Sequence, residues 1–283
     1  MKTMRQLIDA IRLLMLLLTV RACDRAMAQC KPENVPDIVQ RGAAAMHSDW
    51  LAFPGFSFAE RDEEISKGAT TVRTYRVFMI EGTDYYMQIA FNDKPWTKDQ
   101  LVQEHDKLLQ ELDRRRHESN KERKKRFDRY WKERNQVGIL LEQYVKAIDF
   151  RLSGEEIING HSACVLDGKS RPGYRPPNRE ARVLAGLRGR LWVDEHDFHW
   201  LKAEGEVLKP VSILGIVARV LPGTHMELQM VPVKPSVWLW SRFTVAVKSS
   251  IFWRTTERAT VTTWSAYQPT AEALADELAT PSR

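Results

Sequence analysis

Long stretches of the chain alternate apolar and polar residues with the two-residue period that is typical of β-strands. The clearest case spans 70–81, where Val72, Phe78 and Ile80 share one face, and a turn at 82–84 leads into a returning strand over 85–91. From residue 150 almost to the end, strands follow one another closely, and Asn159-Gly160 is a strong hairpin signal. The other strands are predicted at 56–60, 150–157, 163–166, 189–194, 198–207, 212–220, 224–231, 237–248, 251–256 and 260–267. The pattern therefore predicts a long antiparallel meander.

Apolar residues recur with helical spacing in two other segments. The first is 33–53, which ends at Pro54-Gly55. The second is 97–148, where Thr97 followed by Gln100 marks a helix start, and it is predicted to form two helices or one interrupted helix. We therefore expect an α+β fold with one domain over 29–268, a helical insertion at about 97–148 and a flexible tail over 269–283.

The first 28 residues have the layout of a secretory signal peptide. Lys2 and Arg5 give a basic start, a short apolar run follows over 13–20, and Ala26-Met27-Ala28 has small residues where a signal peptidase cleaves. The apolar run is far shorter than the ~20 residues that a membrane-spanning helix needs. We expect cleavage after Ala28 and a periplasmic or secreted protein. A buried N-terminal helix, a retained anchor and a lipid-anchored form modified at Cys23 are the alternatives.

The charge of the chain is less informative than its total suggests. The formal net charge is +6, but half of this positive charge lies in the first 28 residues, the predicted leader. The remaining basic residues are concentrated in 114–134, where interleaved acidic residues favour a solvated helical tip over a nucleic-acid site. A contact of this tip with an anionic membrane or an acidic partner is the functional alternative. The basic tip is defined here by Arg114, Arg115, Arg116, Lys124 and Lys125.

Two cysteines remain once the leader is removed. Cys30 and Cys164 could form one disulfide in an oxidising compartment, or they could stay as two thiols. The disulfide would tie the new N-terminus to the middle of the domain.

The sequence contains no motif of a known catalytic or cofactor site. It has no GxSxG, HExxH, phosphate-binding loop or GxGxxG after a strand. Asp194, Glu195, His196, Asp197 and His199 are potential metal ligands, but their spacing matches no recognised site and a polar hairpin tip explains them. We therefore predict no metal, no cofactor and no enzymatic activity.

The C-terminal strands are unusually rich in tryptophan. A sheet that presents large apolar side chains on one face must cover them with helices or with a ligand. These residues therefore indicate either an ordinary core or an apolar groove large enough for a lipid. The tryptophans are Trp192, Trp200, Trp238, Trp240, Trp253 and Trp264.

Three short motifs resemble a family of bacterial envelope proteins. Gly189 to Asp194 (Gly-Arg-Leu-Trp-Val-Asp), followed by the strand over 198–206, resembles a hairpin of the outer-membrane lipoprotein carrier LolA and of lipoprotein-sorting-like proteins. The segment 155–161 resembles a second hairpin of that group, and 232–240 resembles its proline-to-tryptophan step. The resemblance extends over most of the chain after the leader, and the long charged insertion departs from it.

The resemblance implies a fold and a function. The sheet would be strongly curved, an incomplete barrel, with helices covering its concave face and an apolar cavity between the two layers. The protein would be a periplasmic, non-enzymatic and monomeric carrier or sensor of lipids or lipoprotein acyl chains. The alternative is a structural or interaction protein of the envelope with a packed core and the basic tip as its contact surface. From the strand phase, we expect the cavity to be lined by Phe78, Ile80, Trp192, Leu201, Trp238, Trp240 and Phe252.

Overall fold

The computed structural model describes residues 30–214, 218–252 and 254–279. Four α-helices lie in these ranges: α1 (Val35–Ala52), α2 (Lys98–Arg116), α3 (Asn120–Ala147) and α4 (Thr270–Ala279). Short 3₁₀ helices occupy Pro32–Asn34, Phe53–Gly55 and Glu180–Gly186. The strands are β1 (Phe56–Ser66), β2 (Ala69–Ile80), β3 (Thr83–Phe91), β4 (Lys94–Pro95), β5 (Ile148–Ile158), β6 (His161–Ser170), β7 (Leu187–Asp194), β8 (Trp200–Val207), β9 (Val211–Leu214), β10 (Ala218–Val220), β11 (His225–Lys234), β12 (Val237–Ile251) and β13 (Arg254–Pro269).

All strands of the described residues belong to one antiparallel sheet. Its main path runs β4-β3-β2-β1-β13-β12-β11-β8-β7-β6-β5, and β9 and β10 are attached beside β12. Because β1 pairs with β13, the strands before the helical insertion lie next to the last strand of the chain. Within the described residues the path does not close, so β4 and β5 remain as its two edges. The α+β class and the large open antiparallel sheet are therefore confirmed.

The strand boundaries differ from the predicted ones in the C-terminal half. The predicted strands 251–256 and 260–267 are one strand, β13, which pairs with β1 on one side and with β12 on the other. The charged residues Glu257 and Arg258 weaken the local pattern, but hydrogen bonding to two neighbouring strands keeps the backbone extended. The predicted strand 212–220 divides into β9 and β10, which pair with each other.

Helix α1 packs on the sheet and forms the main core. Ile38, Val39 and Met46 are buried against strands β6, β7 and β8. A disulfide joins Cys30, just before α1, to Cys164 in β6, and their Cα atoms lie 5.3 Å apart. The bond closes a loop of 134 residues, which restricts the unfolded chain and holds the start of the described segment on the sheet.

The helical insertion is a hairpin of two helices. Thr97 and Gln100 cap α2 reciprocally, as the sequence predicts, and Ser119 and Glu122 form a second capping box at the start of α3. Leu108 and Leu112 of α2 pack on Phe78 and other apolar residues of β2 and β3. The insertion is therefore fixed to the sheet by its first helix.

Two buried arginines hold the end of this hairpin against the turn between β2 and β3. Arg115 is buried and donates hydrogen bonds to the backbone oxygens of Ile80, Thr83 and Asp84. Arg126 is also buried and donates to the backbone oxygen of Glu81. The prediction of a solvated tip was wrong for Arg115, because the turn between β2 and β3 offers carbonyl acceptors that a local charge pattern cannot reveal.

The segment predicted as a flexible tail contains α4. Ala273 is buried against Phe78 and Leu108, and Glu277 accepts a hydrogen bond from Arg76. This helix covers the face of β1, β2 and β13 on which α2 also packs. Its contacts with Phe78, Leu108 and Arg76 are more than 100 residues away in sequence, so the local pattern predicted only a flexible end.

The predicted leader, residues 1–28, lies outside the described residues. None of the helices in the ranges given above has the length and apolar character that crossing a bilayer requires.

Candidate functional site

Helix α3 crosses the sheet and leaves an apolar cleft beneath it. The cleft has a volume of about 350 Å³ and lies between α3, the 3₁₀ helix Glu180–Gly186 and strands β7, β8, β11 and β12. Its lining is almost wholly apolar. The lining residues are Val137, Leu140, Leu141, Tyr144, Val183, Leu184, Leu187, Trp200, Ala203, Glu204, Gly205, Met226, Leu228, Trp240 and Phe243.

The register of the sheet explains why space remains beneath the helix. Leu191, Ala203, Leu228 and Phe243 form one cross-strand row, since each pairs with the next. Residues that pair directly have side chains on the same face of a sheet. Ala203 is the smallest side chain in this row and is only half-buried. The small side chain of Ala203 therefore leaves space in this row, and Ala203 lines the cleft.

Two buried polar atoms at the cleft have no hydrogen-bond partner among the described residues. The hydroxyl of Tyr144 and the indole Nε1 of Trp200 are buried and make no hydrogen bond to the described residues. Burial raises the pKa of Tyr144. A Cβ atom at Gly189 would lie 2.8 Å from this hydroxyl and 2.4 Å from the backbone oxygen of Glu204. Glycine at 189 thus allows α3 to approach β7 closely.

A second cavity lies beside the cleft and differs from it in character. This aromatic pocket has a volume of about 210 Å³ and shares Val137 and Trp240 with the cleft. It combines tryptophan, tyrosine and phenylalanine rings with charged groups. It is lined by Trp50, Phe53, Phe56, Phe58, Glu60, Val77, Met79, Asp84, Tyr86, Tyr130, Glu133, Arg134, Val137, Trp240 and Trp264.

Arg134 enters the aromatic pocket from α3. It donates a hydrogen bond to the backbone oxygen of Trp50, and its guanidinium carbon lies 4.0 Å from the centre of the Trp50 ring. Burial lowers its pKa. Its Nε is buried, with no hydrogen-bond partner among the described residues.

Glu60 lines the same pocket from β1. Its carboxylate accepts a hydrogen bond of 2.8 Å from Nε1 of Trp264. Burial and the nearby charge of Asp62 raise the pKa of Glu60 to about 8. Burial also raises the pKa of Asp84, another acid of this pocket. The pocket therefore holds acidic groups whose charged forms are poorly compensated.

Of the seven residues predicted to line a cavity, Trp240 lines the cleft and the aromatic pocket. Phe78 and Ile80 lie on the opposite face of β2 from Val77 and Met79, and pack against α2 and α4. The expectation failed because both faces of β2 are covered by helices, so the strand alternation does not identify the face that borders the cleft.

Three more of the seven residues belong to packed surroundings. Trp192 lies beneath the side chain of Lys202, whose Nζ is 4.9 Å from its ring centre, and it donates a hydrogen bond to Glu156. Leu201 is buried at a β-bulge, where the pairing register between β7 and β8 shifts. Trp238 is buried between His161 and His199. These side chains fill the protein and do not line the cleft.

Phe252 lies outside the cleft. It occupies the turn between β12 and β13 with a left-handed φ of 53°, and its side chain is 65% exposed. The sequence pattern predicted a strand through Phe252, whereas the chain reverses direction between Ile251 and Arg254.

Four residues of the basic tip are exposed. Arg114, Arg116 and Lys124 form ion pairs with Glu111, Glu81 and Asp128, respectively. Lys125 is also exposed. Surface pairs of this kind contribute little to stability, and contact with an anionic membrane stays a prediction.

The polar residues around Asp194 have structural partners. Asp194 accepts hydrogen bonds from the backbone N–H groups of His196 and Asp197, which fixes the turn between β7 and β8. His199 is buried and its Nδ1 lies 2.7 Å from Asp49 of α1. Burial alone would lower the pKa of His199, but the hydrogen bond and charge of Asp49 outweigh it and raise the pKa.

A larger concavity lies on the other face of the sheet. It has a volume of about 840 Å³ and is lined mainly by charged residues of β6, β7, β8 and β11. Arg188 pairs with Glu206 and Arg190 pairs with Asp167 at 2.9 and 2.7 Å. Because these charges neutralise one another, this open surface has less of the character of a ligand site than the cleft.

Comparison with known proteins found no matching family model and no matching curated protein. Solved structures that are similar to the chain include a LolA superfamily protein from Nitrosomonas europaea, with 10% identity, 82% of this chain and 92% of that chain covered, and a TM-score of 0.33. Another is a domain assigned to outer membrane lipoprotein sorting from Vibrio parahaemolyticus, with 12% identity, coverage of 81% and 92%, and a TM-score of 0.32. A third is the MucA/MucB complex of Pseudomonas aeruginosa, with 12% identity, coverage of 83% and 96%, and a TM-score of 0.24. The chain is thus similar, at low identity, to solved structures from the LolA superfamily and from lipoprotein sorting.

Proposed function

We propose that the protein is a non-enzymatic carrier or sensor that binds the acyl chain of a lipid or lipoprotein in the apolar cleft. The observation that carries this proposal is the cleft itself, since helix α3 leaves an apolar space of about 350 Å³ above the sheet. Ligand sites in proteins span roughly 300–1,000 Å³ and are mostly apolar. An acyl chain would gain roughly 0.8 kcal/mol for each CH₂ group that it buries there.

The position of α3 supports reversible entry of a chain. A further cavity of about 310 Å³ lies between α1 and α3, so this part of α3 has apolar space on two sides. Leu141 and Trp200 border both this cavity and the cleft. A helix with incomplete packing on two sides can shift at a smaller cost than one in a filled core.

The proposed compartment is the periplasm or the exterior. The leader-like first 28 residues favour export. The paired cysteines Cys30 and Cys164 fit an oxidising compartment. The absence of a catalytic motif in the sequence favours a binding role over an enzymatic one.

A substitution that fills the cleft tests the proposal. In Ala203→Phe, the larger side chain would occupy the space between α3 and β8, so palmitate binding should fall at least about tenfold, which is 1.4 kcal/mol. The matched control is Ala246→Phe, since Ala246 pairs with His225 and lies on the other face of β12 from Phe243. Binding is measured by native mass spectrometry and by displacement of a fluorescent fatty acid, with thermal unfolding as a check of folding.

The two variants separate the outcomes. The proposal predicts that Ala203→Phe loses palmitate and that Ala246→Phe retains it. Equal palmitate binding by both variants, or none by the unmodified protein, would contradict it.

A further inference from the structure

The charged groups of the aromatic pocket are unevenly matched. Three acidic residues, Glu60, Asp84 and Glu133, line it together with one basic residue, Arg134. The charges that act on Asp84 include those of Arg115 and Arg134, whereas the charges that act on Glu60 are those of the acids Asp62 and Asp84. A ligand that brings a positive group would improve the balance, because a buried carboxylate is stable only with a partner.

The rings of the pocket offer a suitable surface for an organic cation. The rings of Trp50 and Trp240 are stacked with centres 5.4 Å apart, and Trp264 meets Trp240 edge-on at 5.5 Å. The faces of aromatic rings attract ammonium groups, and rings grouped around a cation form a recurrent binding mode. Glu60 is fixed beside these rings by its hydrogen bond from Trp264.

Arg134 provides the complementary group for an anion. The residue is 8% exposed, and its Nε is a buried donor with no hydrogen-bond partner among the described residues. None of the salt bridges among the described residues includes Arg134. An unpaired donor on a buried arginine is suited to one oxygen of a phosphate.

We propose, on the basis of the function proposed above, that the aromatic pocket binds the head group of a zwitterionic phospholipid, with its ammonium beside Glu60 and the tryptophan rings and its phosphate beside Arg134. Val137 and Trp240 border both cavities, so the acyl chain of the same molecule can lie in the apolar cleft. The pocket then selects the head group and the cleft accepts the chain.

The test compares three ligands with the same acyl chain: palmitoyl lysophosphatidylethanolamine, palmitoyl lysophosphatidylglycerol and palmitate. Calorimetry on the full chain should give a Kd for the ethanolamine lipid that is roughly tenfold lower than for the glycerol lipid. Glu60→Gln retains an acceptor for Trp264 and should reduce this preference to about twofold or less. Glu63→Gln is the control, because it lies on the same strand with its side chain on the opposite face.

Arg134→Lys provides the second arm. It keeps the charge but loses the Nε donor, so it should weaken both phospholipids and leave palmitate unchanged. Equal affinities for the three ligands, with binding still abolished by Ala203→Phe, would overturn the head-group inference and leave the proposed function intact. Tighter binding of the glycerol lipid would also overturn it. No binding of any of the three ligands would overturn both proposals.

Discussion

Several buried ionisable side chains of this protein are held by partners that are distant in sequence. Asp49 of α1 accepts a hydrogen bond from the backbone N–H of Trp238 at 2.9 Å and another from His199 at 2.7 Å. These contacts join the end of α1 to strands β8 and β12. Removing one partner from such a group leaves a buried charge without compensation, which is far more destabilising than the loss of an exposed pair.

Glu60 should make stability depend on pH. The pKa of this carboxyl rises from 4.5 to about 8 on folding, so the folded protein binds a proton that the unfolded chain has already released. The free energy of unfolding should therefore fall as pH rises between about 5 and 8, by at most about 1.4 kcal/mol per pH unit from this group. Urea denaturation at pH 5, 6.5 and 8 measures this slope.

The variant Glu60→Gln isolates the contribution of this carboxyl. Asp84 and His199 also have raised pKa values and contribute in the same direction, but they are present in both proteins. The variant should therefore lose less stability than the unmodified protein between pH 5 and 8. Identical slopes for the two proteins would mean that Glu60 titrates normally.

At the level of elements, the α2–α3 hairpin is attached to the sheet by buried arginines. Arg115→Ala should lower the free energy of unfolding by roughly 2–4 kcal/mol, because the carbonyls of the β2–β3 turn lose their donor. Arg116→Ala is the matched control, because the Arg116 side chain is exposed and forms an ion pair with Glu81. This control should change stability by less than about 1 kcal/mol. Equal effects in urea denaturation would show that Arg115 is not an anchor.

The periodic elements could be predicted from the sequence, whereas their surroundings could not. The capping box of Thr97 and Gln100 and the alternation of β2 are local patterns, and the structure has both elements. The buried state of Arg115 and Arg126 depends on carbonyls more than 30 residues away. Local charge patterns therefore predicted exposure for residues that the fold buries.

The faces of the strands present the same problem for the candidate site. Val77 and Phe78 are both buried, one beside the aromatic pocket and the other against α2 and α4. For an apolar residue on such a strand, the local sequence does not indicate which helix covers it. The sequence therefore identified Trp240 as a lining residue but could not distinguish it from Trp238, which fills a packed region.

For the whole molecule, the sheet order determines where the cleft forms. Strands β1 to β4 and β5 to β8 are separated by the insertion, and β13, β12 and β11 connect the two groups. Helices α1 and α3 cover one face over this connection, where the cleft and the aromatic pocket meet at Trp240. A single amphiphile could thus contact both halves of the sheet.

The most direct test of the account is to locate a bound acyl chain. A palmitate analogue with a photoreactive diazirine at the end of its chain is bound to the full protein and irradiated, and labelled peptides are identified by mass spectrometry. The account predicts labels on α3 within 137–144 and on the facing strands near Met226 and Leu228, with loss of these labels in Ala203→Phe. Labels confined to exposed apolar residues outside the cleft, such as Ile157, which is 78% exposed, would contradict it.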